Sequence, residues 1–346
     1  MLLLTLLMGI LCALAADGDD DVHALRITPP AAPTEVSVGV YLVGLTAVSS
    51  PSVSFPTFEA EVLLDTAWID PRLAFDAEGA GRQVEVFQEP NASAFLSRIW
   101  RPELAVENEE GSPQIEHREV ELHSDGLVEV KERFSVVAHA EVDLRRFPFD
   151  EQHFDLLLAS FPWHAGQVVL RVDEGHTGFD PAHHNLEWVV SAVDGTVTEE
   201  PRVRLSEPVS ALRVRIDASR LSGFYLYKLL IPLIFIVVFT WSAFWMTAEA
   251  TGGRMQRTFV ALLTVVAFHH IVSTHLPRIA YLTFVDAVVY SCFASVGATL
   301  VTLIVIHNAE HRGDVDRARK VERHARWIQP LGFVGLLVAL WVVYHL

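Results

Sequence analysis

The stretch LRRFPFDEQHF, Leu144 to Phe154, interrupts a half of the chain that otherwise reads as β-strand. Pro148 has no N–H to give a sheet ladder, so an interior strand cannot run through it. Two phenylalanines flank that proline, Asp150 follows at once, and Arg145 and Arg146 precede it. A knot of aromatic, imino and charged groups between strands is either an awkward turn or a surface made to touch something. The chain on each side decides which.

From about Val36 to Ser219 the dominant period is two. EVSVGVYLVGL, FEAEVLLDTAWID, VELHSDGLVEVKERFSVVAHAEV, QVVLRV, LEWVVSAV and ALRVRID alternate or run as short β-branched segments. Ser-Pro-Ser at 50–52, Asp125-Gly126 and Asp194-Gly195 punctuate them, and Asp125-Gly126 between two alternating runs is the strongest hairpin signal. Short strands at this spacing predict a β-sandwich of immunoglobulin-like type.

Beyond Gly223 the texture changes. No charge falls within 229–248, 258–277, 287–306 or 327–346. Each run is about 20 residues, enough for a helix to cross a hydrocarbon core of roughly 30 Å. A chain of 346 residues that is 51% hydrophobic, 20% charged and of mean hydropathy +0.31 suits such a division, half soluble and half membrane. Asp17–Gly223 holds 37 Asp and Glu against 16 Lys and Arg, a net of −21, whereas the remainder nets +4. An acidic half repels nucleic acid and gathers cations.

MLLLTLLMGILCALAA ahead of DGDDD reads as a secretory signal, too short to span. Cys12 leaves with it and Cys292 lies in an apolar span, so the outer domain is expected to hold by packing without a disulfide. Arg312, Arg317, Arg319, Lys320, Arg323 and Arg326 crowd the third connection and Arg254 and Arg257 the first, against Arg278 alone in the second. Positive charge marks the cytoplasmic side, which leaves the sandwich outside. The expected organisation is a signal peptide at 1–16, a sandwich over 17–222 and an all-α membrane domain over 223–346. Its four helices are expected at about 224–248, 254–276, 280–307 and 326–345, with a short basic linker over 308–325.

The second span differs from the others. Stepping by three and four from Gln256 gives Val260, Leu263, Ala267, His270 and Thr274 on one stripe, polar at both ends and apolar between. Such a stripe suits a water-filled path with a hydrophobic constriction that gates by dewetting. His269 and His270 fit a cavity-facing role, with snorkelling to the outer interface the alternative. One stripe cannot enclose a path, so it implies a cyclic homo-oligomer.

These residues together resemble the pentameric ligand-gated ion channels, the Cys-loop receptor superfamily. FPFDEQHF is similar to its signature loop, with Ala140 and Phe154 where the eukaryotic pattern has two cysteines, as in prokaryotic members. WIDPRLAF (Trp68, Asp70, Arg72, Leu73) resembles the family's W-x-D-x-R-L strand, and IWRPELAVEN (Trp100, Pro102, Glu103, Asn108) its W-x-P-D segment. Pro232, HLPRIAY and MQRTFVALLTVVAF also have counterparts, so the resemblance runs from about residue 36 to the C-terminus. It implies a homopentamer in a bacterial inner membrane, with the sandwich extracellular or periplasmic and the second helix lining the pore. It also implies that Pro148 and Phe149 press near Leu276, Pro277 and Arg278, and that Asp150 pairs with Arg220. The opening stretch is then a coupling surface.

In the family, agonist binds between sandwiches in an aromatic box. Phe161 occupies one of its positions, with Trp163 and His164 just beyond, but Glu107 stands where an aromatic is expected and 195–216 has none. A quaternary-ammonium cage needs several rings. A small amine held by Glu107, Glu199 or Glu200, an aromatic acid held by Arg202, and protons acting on some of the 16 histidines remain as agonists. His183-His184 and His269-His270 lack a third ligand at zinc spacing, so neither a metal nor a cofactor is expected.

Anion-selective members carry a proline–alanine insertion before the pore helix, absent from EATGGRMQR, yet Gly253 stands where cation-selective members have glutamate. The acidic outer domain favours permeant monovalent cations. An enzyme would need a nucleophile or metal constellation that DEGHTGFDPAHHN does not offer. A non-conducting solute receptor would not need the polar stripe, and an anion channel of the same fold is the remaining alternative.

Overall fold

A computed structural model describes residues 26–48, 56–181, 187–201, 207–246, 251–275 and 279–345. The signal segment 1–16, His183-His184, Arg202, Leu276, Pro277, Arg278 and the side chain of Thr274 lie outside the described residues.

Among the described residues the outer half is a two-sheet sandwich of eleven strands: β1 (Thr34–Val48), β2 (Thr57–Ile69), β3 (Val84–Gln88), β4 (Leu104–Val106), β5 (Gln114–His123), β6 (Leu127–His139), β7 (Glu151–Ser160), β8 (Val168–Val172), β9 (Gly178–Phe179), β10 (Trp188–Glu200) and β11 (Val209–Arg220). The larger sheet runs β3-β5-β6-β2-β1-β8, with β9 also on β1, and the smaller runs β10-β11-β7-β4. Period-two sequence becomes period-two burial: Phe58, Ala60, Val62 and Leu64 of β2 face inward while Glu59, Glu61 and Leu63 do not. Across the gap Phe58 meets Phe154 at 4.9 Å and Phe154 meets Trp188 at 5.2 Å between ring centroids. Ala140 and Phe154 both belong to this core, so packing occupies the positions that bracket the loop.

The WIDPR corner is locked by charge and backbone. Asp70 is fully buried and accepts 2.8 Å bonds from Arg72 Nε and Nη2. Its N–H donates to the Gly126 carbonyl at 2.8 Å, tying the corner to the β5–β6 turn. Gly126 has φ 87°, and a Cβ there would stand 2.4 Å from the Asp70 carbonyl oxygen.

Four helices follow: α1 (Gly223–Phe244), α2 (Thr251–His275), α3 (Phe284–His311) and α4 (Val315–His345), each long and apolar enough to cross a membrane. Pro232 has no N–H for the carbonyl one turn earlier, and α1 opens with a π-turn over Leu226–Leu230. Val237, Val265, Val289, Val296, Leu303 and Phe333 bring all four helices into one core.

The basic segment expected as a linker over 308–325 is instead mostly helix. Gly313, at φ 78°, ends α3, Asp314 Oδ1 accepts from Arg317 N–H at 3.1 Å, and α4 begins at Val315. Ala318, Val321 and Ala325 form a helical stripe against the bundle while Asp316, Arg317, Arg319, Lys320 and Arg323 point out, so amphipathic packing prevails over the polar composition.

Gly126→Ala should destabilise the outer domain by about 1–3 kcal/mol, from the left-handed backbone and the Asp70 clash. Denaturant titration of tryptophan fluorescence in the detergent-solubilised protein measures it, and an unchanged midpoint would remove the turn's role in the corner.

Candidate functional site

Leu144, Phe147 and Phe149 carry their side chains into the membrane core, while Arg145 and Arg146 stay exposed. Leu144 and Phe147 are buried in the same cluster as Leu229, Leu233 and Phe284, although they leave the sandwich at Ala140 and return to it at Phe154. The Phe147–Pro148 bond is cis. Asp150, with a side chain 1% exposed, takes 2.8 Å and 3.2 Å bonds from Nε and Nη2 of Arg220, the last residue of β11. The Arg220 guanidinium lies over the rings of Trp188 (4.3 Å) and Phe147 (5.0 Å), and Phe147 meets Tyr225 of α1 edge-on at 4.6 Å. Gln152 completes the shell by donating to Asp150 Oδ2 at 2.7 Å and to the Asp143 carbonyl at 2.8 Å. A buried carboxylate needs this much compensation.

Pro148 is buried, and the expected contacts to Leu276, Pro277 and Arg278 lie outside the described residues. The α2–α3 connection is met instead through Tyr281 and Phe284. Leu144 N–H donates to Tyr281 Oη at 3.0 Å, Phe284 N–H donates to the Arg145 carbonyl at 2.8 Å, and a Thr283–Asp286 capping box begins α3 there. Phe149 packs edge-on against Trp341 (5.2 Å), His345 (5.6 Å) and Phe284 (6.0 Å). Sequence reading missed Trp341 and His345, because nothing local marks the end of α4 as a neighbour of a loop nearly two hundred positions earlier. Tyr281 stood within the quoted HLPRIAY motif and could have been found.

On α2 the stripe Gln256, Val260, Leu263, Ala267 and His270 is exposed throughout, with Leu263 at 69% and Val260 at 59%. The opposite face, Arg254, Thr258, Val265 and Val272, is buried against the bundle. Thr264 and Ser273 turn their hydroxyls back to the Val260 and His269 carbonyls at 2.9 Å each. His269 departs from the stripe and lies against Tyr290 (5.7 Å) and Phe293 (6.2 Å) of α3.

The expected agonist residues are spread along the smaller sheet rather than closed into a box. Phe161 is 69% exposed after β7, while Trp163 turns inward to Trp100 at 6.0 Å. His164 Nδ1 lies 2.7 Å from Glu207 Oε2. Glu107 is exposed at the end of β4, and Glu199 is exposed on β10 opposite Ser210. Arg202 lies outside the described residues. Among the described residues Glu121, His123 and Glu129 bring three ligand atoms within 4.8 Å, but Lys131 Nζ already donates to Glu121 at 2.7 Å. The paired histidines are not part of that group.

On the face of the larger sheet away from the core, His176 Nδ1 lies 2.9 Å from Asp173 Oδ2. The hydrogen bond to Asp173 raises the His176 pKa above 6.5, and the same bond lowers that of Asp173. Nearby, burial raises the Asp65 pKa, opposed by His176 and Lys131. This loop lies close enough that a Cβ on Gly39 would stand 2.5 Å from His176 Cβ.

An outer sandwich keyed by a buried ion pair into four membrane helices defines a receptor-like membrane protein. Its two halves match known families in the same order. Residues 20–221 match the neurotransmitter-gated ion-channel ligand binding domain, and residues 229–333 the neurotransmitter-gated ion-channel transmembrane region. The chain belongs to the neurotransmitter-gated ion channels, multi-pass membrane proteins with an extracellular domain that are not enzymes. A proton-gated ion channel of Gloeobacter violaceus is 28% identical over 309 residues, which cover 88% of this chain and 82% of that protein. A gamma-aminobutyric acid receptor subunit beta of Lymnaea stagnalis is 24% identical over 82% of this chain and 58% of its own length. The pH-sensitive chloride channel 2 of Anopheles gambiae is 24% identical over 76% of this chain and 44% of its own length.

Asp150→Asn and Arg220→Gln should each cost about 3–5 kcal/mol, because each leaves its counterpart buried and unpaired. The double variant should cost clearly less than their sum, and additive costs in a denaturant double-mutant cycle would deny the direct coupling. A histidine whose pKa is raised on folding stabilises fully below its unfolded value, and loses that contribution as pH rises through the raised value. The Tm gap between wild type and His176→Gln should therefore be larger at pH 6 than at pH 9. A gap constant across that range would exclude the ion pair as its source.

Proposed function

We propose that this chain forms a homopentameric, cation-selective channel of a bacterial inner membrane, with the α2 stripe lining the pore and Leu263 near its constriction. The observation that carries the reading is the stripe itself. A helix that buries one face and exposes a row polar at its ends and apolar between fits neighbouring copies around a water-filled path. The Leu144–Phe154 loop would transmit the outer domain's state, since it places rings in the membrane core and a carboxylate on the last strand.

Protons are the favoured agonist. His176, Asp173 and Asp65 form a titratable group on the outer domain, the aromatic box is incomplete, and the Gloeobacter relative bears the name of a proton-gated channel. Glu107, Phe161, Trp163, His164, Glu199 and Arg202 remain the positions for a small organic agonist. The chloride-channel name of the Anopheles relative favours a second reading, an anion-selective pore of the same fold.

Planar-bilayer recording from the purified protein, with outer pH stepped from 5 to 9 under asymmetric NaCl, tests these readings. Pore-like currents that reverse near the sodium potential are expected, and reversal near the chloride potential supports the anion reading. Leu263→Ala should raise the open probability without agonist by about tenfold or more, since the smaller side chain widens the dewetted constriction and lets water in. A Leu263→Ala protein silent at every pH would defeat the channel reading.

A further inference from the structure

The cytoplasmic end of α2 presents a charge problem. A helix N-terminus carries roughly half a positive charge, and Arg254 stands in the first turns of this one. Gly252 and Gly253 are exposed there and bring no side chain to offset it. Several such ends around an axis would make a positive ring, which draws anions and repels cations.

Two carboxylates from other helices converge on this end. Glu310 of α3 accepts from Thr251 Oγ1 at 2.6 Å. Glu322 of α4 accepts from Arg254 Nη1 at 3.0 Å, with side chains only 6% and 15% exposed. Arg254 thus lies on the buried face of α2, with Thr258, Val265 and Val272, and not on the exposed stripe. Arg326 holds Glu322 from one turn on, at 3.7 Å, while its Nε donates to the Phe244 carbonyl at the end of α1 at 2.7 Å. Arg257 is exposed, with its Nη2 3.5 Å from Met246 Sδ. All four helices contribute to one clasp.

We propose that Glu322, aided by Glu310, is the positioning residue for ion selectivity: it holds Arg254 against the bundle and neutralises it, so that the inner end of the pore is not positive. The carboxylate that the sequence lacks beside Arg254, where Gly253 stands, is supplied from the fourth helix. This rests on the channel reading above and assigns α4 a share in selectivity although it does not line the pore.

The test is the reversal potential of the full-length protein in planar bilayers under asymmetric NaCl. Glu322→Gln should shift it toward the chloride potential, equivalent to a fall of about tenfold in the sodium-to-chloride permeability ratio. The double variant Arg254→Gln/Glu322→Gln should return it toward the wild-type value, since no unpaired cation remains. A role in folding alone would change yield or Tm and leave reversal where it was, so an unshifted Glu322→Gln channel overturns the proposal. If Glu322→Gln does not assemble, Glu322→Asp keeps the charge but withdraws it by one methylene. It should shift reversal the same way by less, and an unshifted Glu322→Asp channel overturns the proposal equally. Wild-type current that reverses at the chloride potential, or none at all, would remove the reading on which the proposal rests.

Discussion

The contact between Asp150 and Arg220 constrains everything around it. A carboxylate with 1% of its side chain exposed is costly to bury without a counter-charge and hydrogen bonds, and Arg220 and Gln152 provide both. Arg220 ends β11 and stands three residues before α1, so one bidentate pair fixes a loop, the last strand and the first membrane helix to each other. Trp188 and Phe147 cover the guanidinium and exclude the water that would weaken the pair. The joint is stiff because its parts are mutually necessary.

Its placement divides the protein's apolar interior in two. The sandwich core includes Ala140 and Phe154, and the membrane core includes Leu144 and Phe147. A segment of about a dozen positions therefore belongs to one half by its ends and to the other by its side chains. Backbone bonds reinforce the second attachment, as Arg145 and Leu144 engage Phe284 at the start of α3 and Tyr281 just ahead of it. Displacing either half without the other would expose Phe147, which is almost fully buried.

The parts legible in the sequence are those with local signatures. Alternation along FEAEVLLDTAWI specified a strand and its inward face, and charge-free runs of fixed length located four helices. The contact of Asp150 with Arg220 was anticipated by the family resemblance, which implies it, and not by any local pattern. The segment 308–325 was misread because composition counts Arg and Lys as loop, whereas Ala318, Val321 and Ala325 at helical spacing decide the matter by packing. Trp341, His345, Glu310 and Glu322 had no local signal at all. Their roles arise only when α3 and α4 close on the other helices, since a side chain's neighbours across a bundle are set by packing and not by chain order.

Phe149 rests on Trp341 and His345, which stack on each other at 3.8 Å at the outer end of α4. That helix is the least enclosed of the four, with Leu331, Val334, Val338 and Val343 all exposed along its length. Its outward face is therefore open to the lipid around it, whose hydrocarbon thickness it has to match. One wall of the joint is thus mechanically in series with the bilayer. Any movement of the tip of α4 within the bilayer would move the surface on which Phe149 sits.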